Sequence, residues 1–251
     1  MRQKAFEIYS KIRAEFEKLI AENGIDTDGI EITCGSLTPQ EAIGITDRTD
    51  APINTGQEVM MQAVYKGAAG QAYTDAPDAF SGTLSDILAM DVIGDPRARG
   101  LFISALNAVM RQLDKTDHTV HCRNMEPREC SQEYVEWLKE NYAPCRLVLI
   151  GYQPWLFRRL AEDGTFDLRV LDLDPDNVGD ERFGVVVEHG LDDYEDAVLS
   201  WADLVLCTSS VFCNATMDLY IDIGREVLFY GITGAGAVSL LGLKRHCPVS
   251  A

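Results

Sequence analysis

The chain is short of positive charge. It has 22 Lys and Arg against 40 Asp and Glu in 251 residues, a formal charge of −18. Nucleic acid and anionic membranes are held by clustered Lys and Arg, so neither is expected as a partner. No apolar run approaches the roughly 18 residues a spanning helix needs. The opening stretch, MRQKAFEIYSKIRAEFEKLI, is charged throughout and lacks the apolar core of a signal peptide. The expected location is therefore cytoplasmic. There is no internal repeat and no low-complexity tract. No Ser-His-Asp pattern, G-x-S-x-G elbow or Walker A loop occurs either, which removes three common routes to catalysis. Histidine is scarce, at four, and the seven cysteines form an odd, scattered set. In a reducing compartment they read as free thiols.

What is present is a chain that is 46% hydrophobic, enough for one large domain or two small ones. The stretch 145–176, CRLVLIGYQPWLFRRLAEDGTFDLRVLDLDPD, organises it. An apolar strand over 146–150 runs into Gly151, and Pro154 suits a first helical position. The helix stops near Asp163-Gly164, and a second strand over 168–173 carries Asp172, with Asp174 just beyond. In dinucleotide-binding units an acid about 20 residues past the first glycine holds a ribose hydroxyl. The turn is GYQP, however, so the unit is Rossmann-like without a pyrophosphate cradle.

On the N-terminal side, residues 5–22 make an amphipathic helix with Phe6, Tyr9, Ile12, Phe16, Leu19 and Ile20 on one face. Strands over 30–34, 42–46 and 59–65 suggest a small antiparallel meander. Gly67 and Gly70 break the chain, and 72–80 reads as turns. Thr83 to Asp86 matches a capping box that opens a helix over 84–89, and Pro96 starts another. Residues 114–128 are polar, so the boundary is placed at about residue 115, giving modules 1–115 and 116–251. Beyond it come a helix over 127–142 and then alternating strands and helices. Strands fall at 183–187, 203–207 and 226–230, and helices at 193–201, 215–223 and 237–241. That alternation implies a parallel sheet covered on both faces, an α/β fold.

In open α/β sheets, ligands sit beyond the carboxyl ends of the strands. The rule collects four bends: Gly151-Tyr152, Asp172 to Asp174, Thr208-Ser209-Ser210 with Asn214, and Gly231 to Gly234 with Thr233. Each alone is ordinary turn chemistry. Four in register on one sheet edge point to a ligand site. A second constellation is His118, His121, Cys122 and Cys130, imidazoles and thiols without the spacing of a zinc module. Cys213 could be acidified if a helix begins beside it, although a small core residue is the commoner case. His189 is a loop candidate for acid–base work, and Asp47 and Arg48 could reach an interdomain crevice.

Taken together, FSGTLSDILAMD, ARGLFISALNAVMRQL, VLIGYQP, LDLDPDNVGD, WADLVLCTSSVFCNATMDLY and VLFYGITGAG resemble the bacterial and archaeal "putative heavy-metal chelation" proteins. The resemblance covers nearly the whole chain. It implies an enolase N-terminal-like α+β module followed by a Rossmann-like parallel-sheet module, with a ligand crevice between them. Where the family carries glycine-proline-serine after the last strand, this chain has Gly231-Ile232-Thr233.

The resulting expectation is an anionic or nucleotide-like small molecule in the crevice, in a pathway that makes or handles metal chelators. Asp172 or Asp174 would hold a diol, and Thr208, Ser209, Ser210 and Asn214 a phosphate or carboxylate. The rivals are an S-adenosylmethionine-dependent methyltransferase-like enzyme, a direct metal-binding protein, and a non-catalytic scaffold. No resident metal is assigned, no cofactor is identified, and a homodimer is left open.

Overall fold

The structure is a computed structural model and describes residues 3–29, 31–45, 53 and 58–251. Asp47 and Arg48 lie outside the described residues. Two sheets share the chain. The first is antiparallel and contains β1 (Glu31–Leu37), β2 (Val59–Tyr65), β3 (Ala68–Thr74) and β4 (Phe80–Thr83), in the order β3-β2-β1-β4. The expected break at Gly67 is a hairpin turn. Lys66 and Gly67 take φ of 48° and 83°, the primed geometry that suits twisted strands. Gly70 does not break the chain, and β3 runs on through residue 74, where turns were expected. Instead, Gly70 lets β3 press onto the following layer, since a Cβ there would lie 2.2 Å from the Ala108 nitrogen.

Among the described residues, three helices accompany this sheet before residue 95. In α1 (Gln3–Glu22) the buried face is Ala5, Ile8, Tyr9, Ile12, Phe16 and Ile20. Phe6, expected inside, is 45% exposed, because Ile8 rather than Phe6 continues the stripe. The strand expected over 42–46 is a short helix, α2 (Pro39–Ile43), with Thr46 outside the described residues. Thr38 and Glu41 form a reciprocal capping box there, and Pro39 takes the first turn. Those local start signals outweigh the β-branched residues that follow. The capping box at Thr83 and Asp86 opens α3 (Leu84–Ala89) as expected.

Next comes α4 (Pro96–Gln112), in which every residue from Ala98 to Met110 is buried. A helix hidden on all sides needs a partner on each, and α4 packs against β2 and β3 as well as against the C-terminal half. Its residues belong to one continuous apolar core that also contains Ile32 and Met61 of the first sheet and Val148 and Val205 of the second.

The second sheet has the order β10-β9-β5-β6-β8-β7. Its strands are β5 (Arg146–Ile150), β6 (Asp167–Asp172), β7 (Glu181–Arg182), β8 (Val185–His189), β9 (Leu204–Thr208) and β10 (Glu226–Tyr230). All pairs are parallel except the short β7–β8 edge. The helices α5 (Glu126–Tyr142) and α6 (Pro154–Asp163) cover one face, in a cluster with Leu147, Leu149 and Leu206. The opposite face joins the continuous core, together with α7 (Ala235–Leu241). The mixed α/β class with a parallel sheet is therefore as the alternating pattern implied.

Two helix expectations are corrected in detail. Residues 193–201 close as a π-helix over Glu195–Trp201, where the Ala202 N–H donates to the Ala197 carbonyl five residues back. Residues 215–223 do not form a helix. Two 3₁₀ turns, Ser209–Phe212 and Met217–Leu219, occupy the region. Ala215 and Asp222 take φ of 60° and 53°, which no α-helix admits. No helix among the described residues is long and apolar enough to cross a membrane.

Candidate ligand site between the two sheets

From the central strand β5, the chain passes to β6 on one side and returns to β9 on the other. The loops leaving β5 and β9 therefore diverge and leave a crevice at the strands' carboxyl ends. A cavity of about 680 Å³ opens there. It is closed by residues of the first sheet and of the segment 121–134. That volume suits a metabolite-sized molecule.

The structure places the expected bends together. Gly151, Tyr152, Asp172 and Asp174 line the cavity. So do Thr208, Ser209, Ser210, Asn214, Gly231 and Thr233. Gly234 does not. A Cβ at Gly234 would come within 2.6 Å of the Phe212 ring and 2.9 Å of Ser209 Cβ, so its smallness serves packing.

Each bend has a physical basis. Gly151 has φ +91°, and a Cβ there would strike Thr208 Cγ2 at 2.7 Å, so only glycine fits where β5 and β9 part. Tyr230 Oη donates towards the Ile150 and Gly151 carbonyls at 3.0 and 3.1 Å, fixing that turn from β10. Asp172 accepts the Tyr152 N–H at 2.7 Å and the Asp174 N–H at 2.8 Å. Thr208 Oγ1 accepts the Ser210 N–H at 3.3 Å as a turn cap. Asn214 accepts the Thr216 hydroxyl at 2.6 Å. Thr233 Oγ1 accepts the Tyr73 N–H of β3 at 3.0 Å. Much of the polar rim thus holds itself in shape.

Two hydroxyls are different. Ser209 is 1% exposed and Tyr134 is 3% exposed. Among the described residues neither Ser209 Oγ nor Tyr134 Oη has a hydrogen-bond partner, and both residues line the cavity. A buried hydroxyl without a partner costs free energy of about 1–3 kcal/mol, which a ligand atom can recover.

The first sheet contributes groups that sequence reasoning missed. Glu58, just ahead of β2, and Asp75, just after β3, both line the cavity. Burial pushes the Glu58 carboxyl up to about 7, and repulsion from Asp172, Asp75 and Asp174 adds to it. Burial and Glu58 likewise push Tyr73 up. Lone acids flanking strands look like surface residues in a sequence, and nothing local signals that they face a second sheet.

Three thiols form another part of the wall: Cys122, Cys130 and Cys247. The C-terminal tail brings them together, because Val120 and Ala251 exchange backbone hydrogen bonds at 2.8 and 3.0 Å. The Cys122 thiol donates to the Cys130 sulfur, which holds Cys130 below the ordinary thiol range and Cys122 above it. Burial pushes Cys247 up.

The His118, His121, Cys122, Cys130 set is divided by the fold. His121 lines the cavity with the thiols, whereas His118 turns to the Ser250 carbonyl. Burial lowers His121, favouring its neutral form. Among the described residues, no three His, Cys, Asp or Glu side chains are arranged to hold a metal ion. Cys213 is not acidified. It is buried, and burial raises its thiol. His189 sits in its loop, with Nδ1 accepting the Asp192 N–H at 3.1 Å.

An open sheet, parallel but for its β7–β8 edge and with a crevice at its switch point, defines the class of α/β protein. Residues 133–250, just under half of the chain, match the model of the family described as "DUF364: Putative heavy-metal chelation". No curated protein matches the chain at a significant level. Two solved structures of that family share the fold, and both are described as proteins of unknown function. One, from Pyrococcus horikoshii, has 17% identity and a TM-score of 0.55, over 91% of this chain and 80% of its own. The other, from Desulfitobacterium hafniense DCB-2, has 14% identity and a TM-score of 0.55, over 96% of this chain and 84% of its own.

Proposed function

We propose that this protein binds a small organic molecule in the crevice between its two sheets, and that it does so in the cytoplasm as part of making or handling metal chelators. The observation that carries the binding role is the pair of buried, unpartnered hydroxyls, Ser209 Oγ and Tyr134 Oη, both on residues that line the cavity. The fixed turns at Gly151 and Asp172 supply a preformed rim. The family's description supports the chelator setting. The expected anionic ligand does not suit the cavity. Among the described lining residues there is no Lys or Arg, while Glu58, Asp75, Asp172, Asp174 and Asp176 are all present.

A second reading, a nucleoside ligand such as S-adenosylmethionine, draws on Asp172. That acid ends β6 beside the glycine turn after β5, as a ribose-holding acid would. The test is a thermal-shift screen of a metabolite panel that includes adenosylhomocysteine and NAD, run on the native protein and on Ser209→Val. A compound that stabilises the native protein and loses most of that effect in the variant supports the site. If every compound acts equally on both, or none acts, the cavity is not a binding site.

A further inference from the structure

The chemistry of the cavity narrows the ligand class, and the narrowing rests on the small-molecule reading above. Four carboxylates come from two different sheets. Glu58 lies just ahead of β2 and Asp75 just after β3, while Asp172 ends β6 of the parallel sheet and Asp174 lies just beyond it. Glu58 lies close enough to feel Asp172, Asp75 and Asp174 as repulsive charges. No basic side chain among the described lining residues offsets them. Arg182 stacks on Tyr152 at 4.6 Å and Arg128 on Trp155 at 5.5 Å, but neither arginine lines the cavity. His121, the lining imidazole, is held towards its neutral form.

Like charges gathered around the part-buried Glu58 carboxyl are unfavourable unless a function or a counter-charge maintains them. An independent observation points the same way. Ser209 Oγ and Tyr134 Oη, buried and unpartnered, are both able to accept a hydrogen bond from an ammonium or guanidinium N–H. Aromatic rings also line the space, Tyr73, Tyr220 and Tyr230 among them, and ring faces attract cations in a desolvated site.

We infer that the crevice takes an organic cation, an amine, guanidinium or sulfonium compound, with its charge seated among Glu58, Asp75, Asp172 and Asp174 and its polar hydrogens directed to Ser209 or Tyr134. Binding then favours the ionised form of Glu58. The titratable groups facing Glu58 are Asp172, Asp75 and Asp174, together with the Tyr73 and Tyr230 phenols and the Cys213 thiol. Burial raises the phenols and the thiol, so they stay neutral near neutral pH. The carboxylate at Glu58 is therefore the group whose proton a bound cation displaces.

The experiment measures affinity by calorimetry for agmatine, spermidine and S-adenosylmethionine. Their counterparts are glutarate, which carries carboxylates in place of cationic groups, and adenosylhomocysteine, which lacks the sulfonium charge. The proteins are the native chain, Glu58→Gln, and Glu140→Gln as a control that removes an exposed charge elsewhere. The expected result is that at least one cation binds more tightly than its counterpart. Its affinity should rise about tenfold from pH 6 to pH 8 as Glu58 ionises. Glu58→Gln should abolish that rise, and Glu140→Gln should leave it intact. Stronger binding of the uncharged or anionic partner overturns the cation assignment, and if that binding depends on Ser209 the small-molecule site itself survives. Equal loss in both variants shows only the general attraction of a −18 protein for cations and also overturns it. Absence of binding by all three cations overturns it as well.

Discussion

The carboxylate of Asp172 accepts the backbone N–H of Tyr152 at 2.7 Å, joining two bends that lie 20 residues apart in the chain. Its other oxygen accepts the Asp174 N–H at 2.8 Å and the Asn177 amide at 3.3 Å. The residue expected to hold a ligand diol is thus first an anchor for the crevice rim. Asp172→Ala leaves two backbone donors without their acceptor, and the expected loss is about 1–3 kcal/mol in urea denaturation. Asp172→Asn keeps one acceptor oxygen and should lose less. Equal, negligible losses in both variants would show that the rim holds itself without this side chain.

Glu58 sets a pH dependence of the opposite sense from an ordinary salt-bridged acid. Its folded-state value, about 7, lies above the usual carboxylate range, so the folded protein binds the Glu58 proton more tightly than the unfolded chain. The stability tied to that proton is fully present below the unfolded value and is lost as pH rises through about 7. The whole effect is roughly 3 kcal/mol at most. Glu58→Gln should therefore raise the melting temperature at pH 8 and change it little at pH 5. Melting curves of the two proteins across that range check it, and a variant less stable than the native chain at pH 8 contradicts it.

The legible part of this fold was the part written in local signals. The strand Glu226–Tyr230 and the capping box at Thr83 stand where patterning put them, because branched apolar runs and caps act within a few residues. The bends at Gly151, Asp172, Ser209 and Gly231 could be grouped because parallel strands must all point one way. The region 215–223 misled because Met217, Tyr220 and Ile221 are buried at helical spacing, yet they are delivered to the core by 3₁₀ turns and positive-φ corners. Glu58 and Asp75 were illegible as cavity-lining residues for a different reason. Their placement follows from how one sheet packs on the other, and that leaves no periodic trace.

Asn107 of α4 ties the two halves together. It is fully buried, and its amide donates to the Gln71 carbonyl at 2.9 Å and the Thr233 carbonyl at 2.8 Å. Its oxygen accepts the Gly236 N–H at 2.8 Å. One side chain thus joins β3, α4 and the loop after β10. Asn107→Ala strands several buried polar groups, and the expected destabilisation is about 2–4 kcal/mol. Hydrogen exchange should show the first loss of protection at Gly236, and an unchanged unfolding midpoint would refute the role.

The thiols should differ sharply in reactivity. Cys130 is only half-buried, and donation from Cys122 and from the Val249 N–H holds its sulfur below the ordinary thiol range. Cys207 is fully buried and pushed up by that burial. Cys145 is half-buried, but burial and Asp203 push it up. Since the thiolate is the nucleophile, iodoacetamide at neutral pH should label Cys130 before Cys145 and leave Cys207 unlabelled in the folded protein. Cys122→Ala removes the donor beside Cys130 and should slow the labelling severalfold, whereas Cys145→Ser should leave it unchanged. Peptide mass spectrometry over a time course reads both rates. Because Cys130 lines the cavity, any molecule that occupies the crevice should also shield it. Labelling of Cys130 thus reports occupancy directly, and a ligand that stabilises the protein without slowing that labelling binds somewhere else.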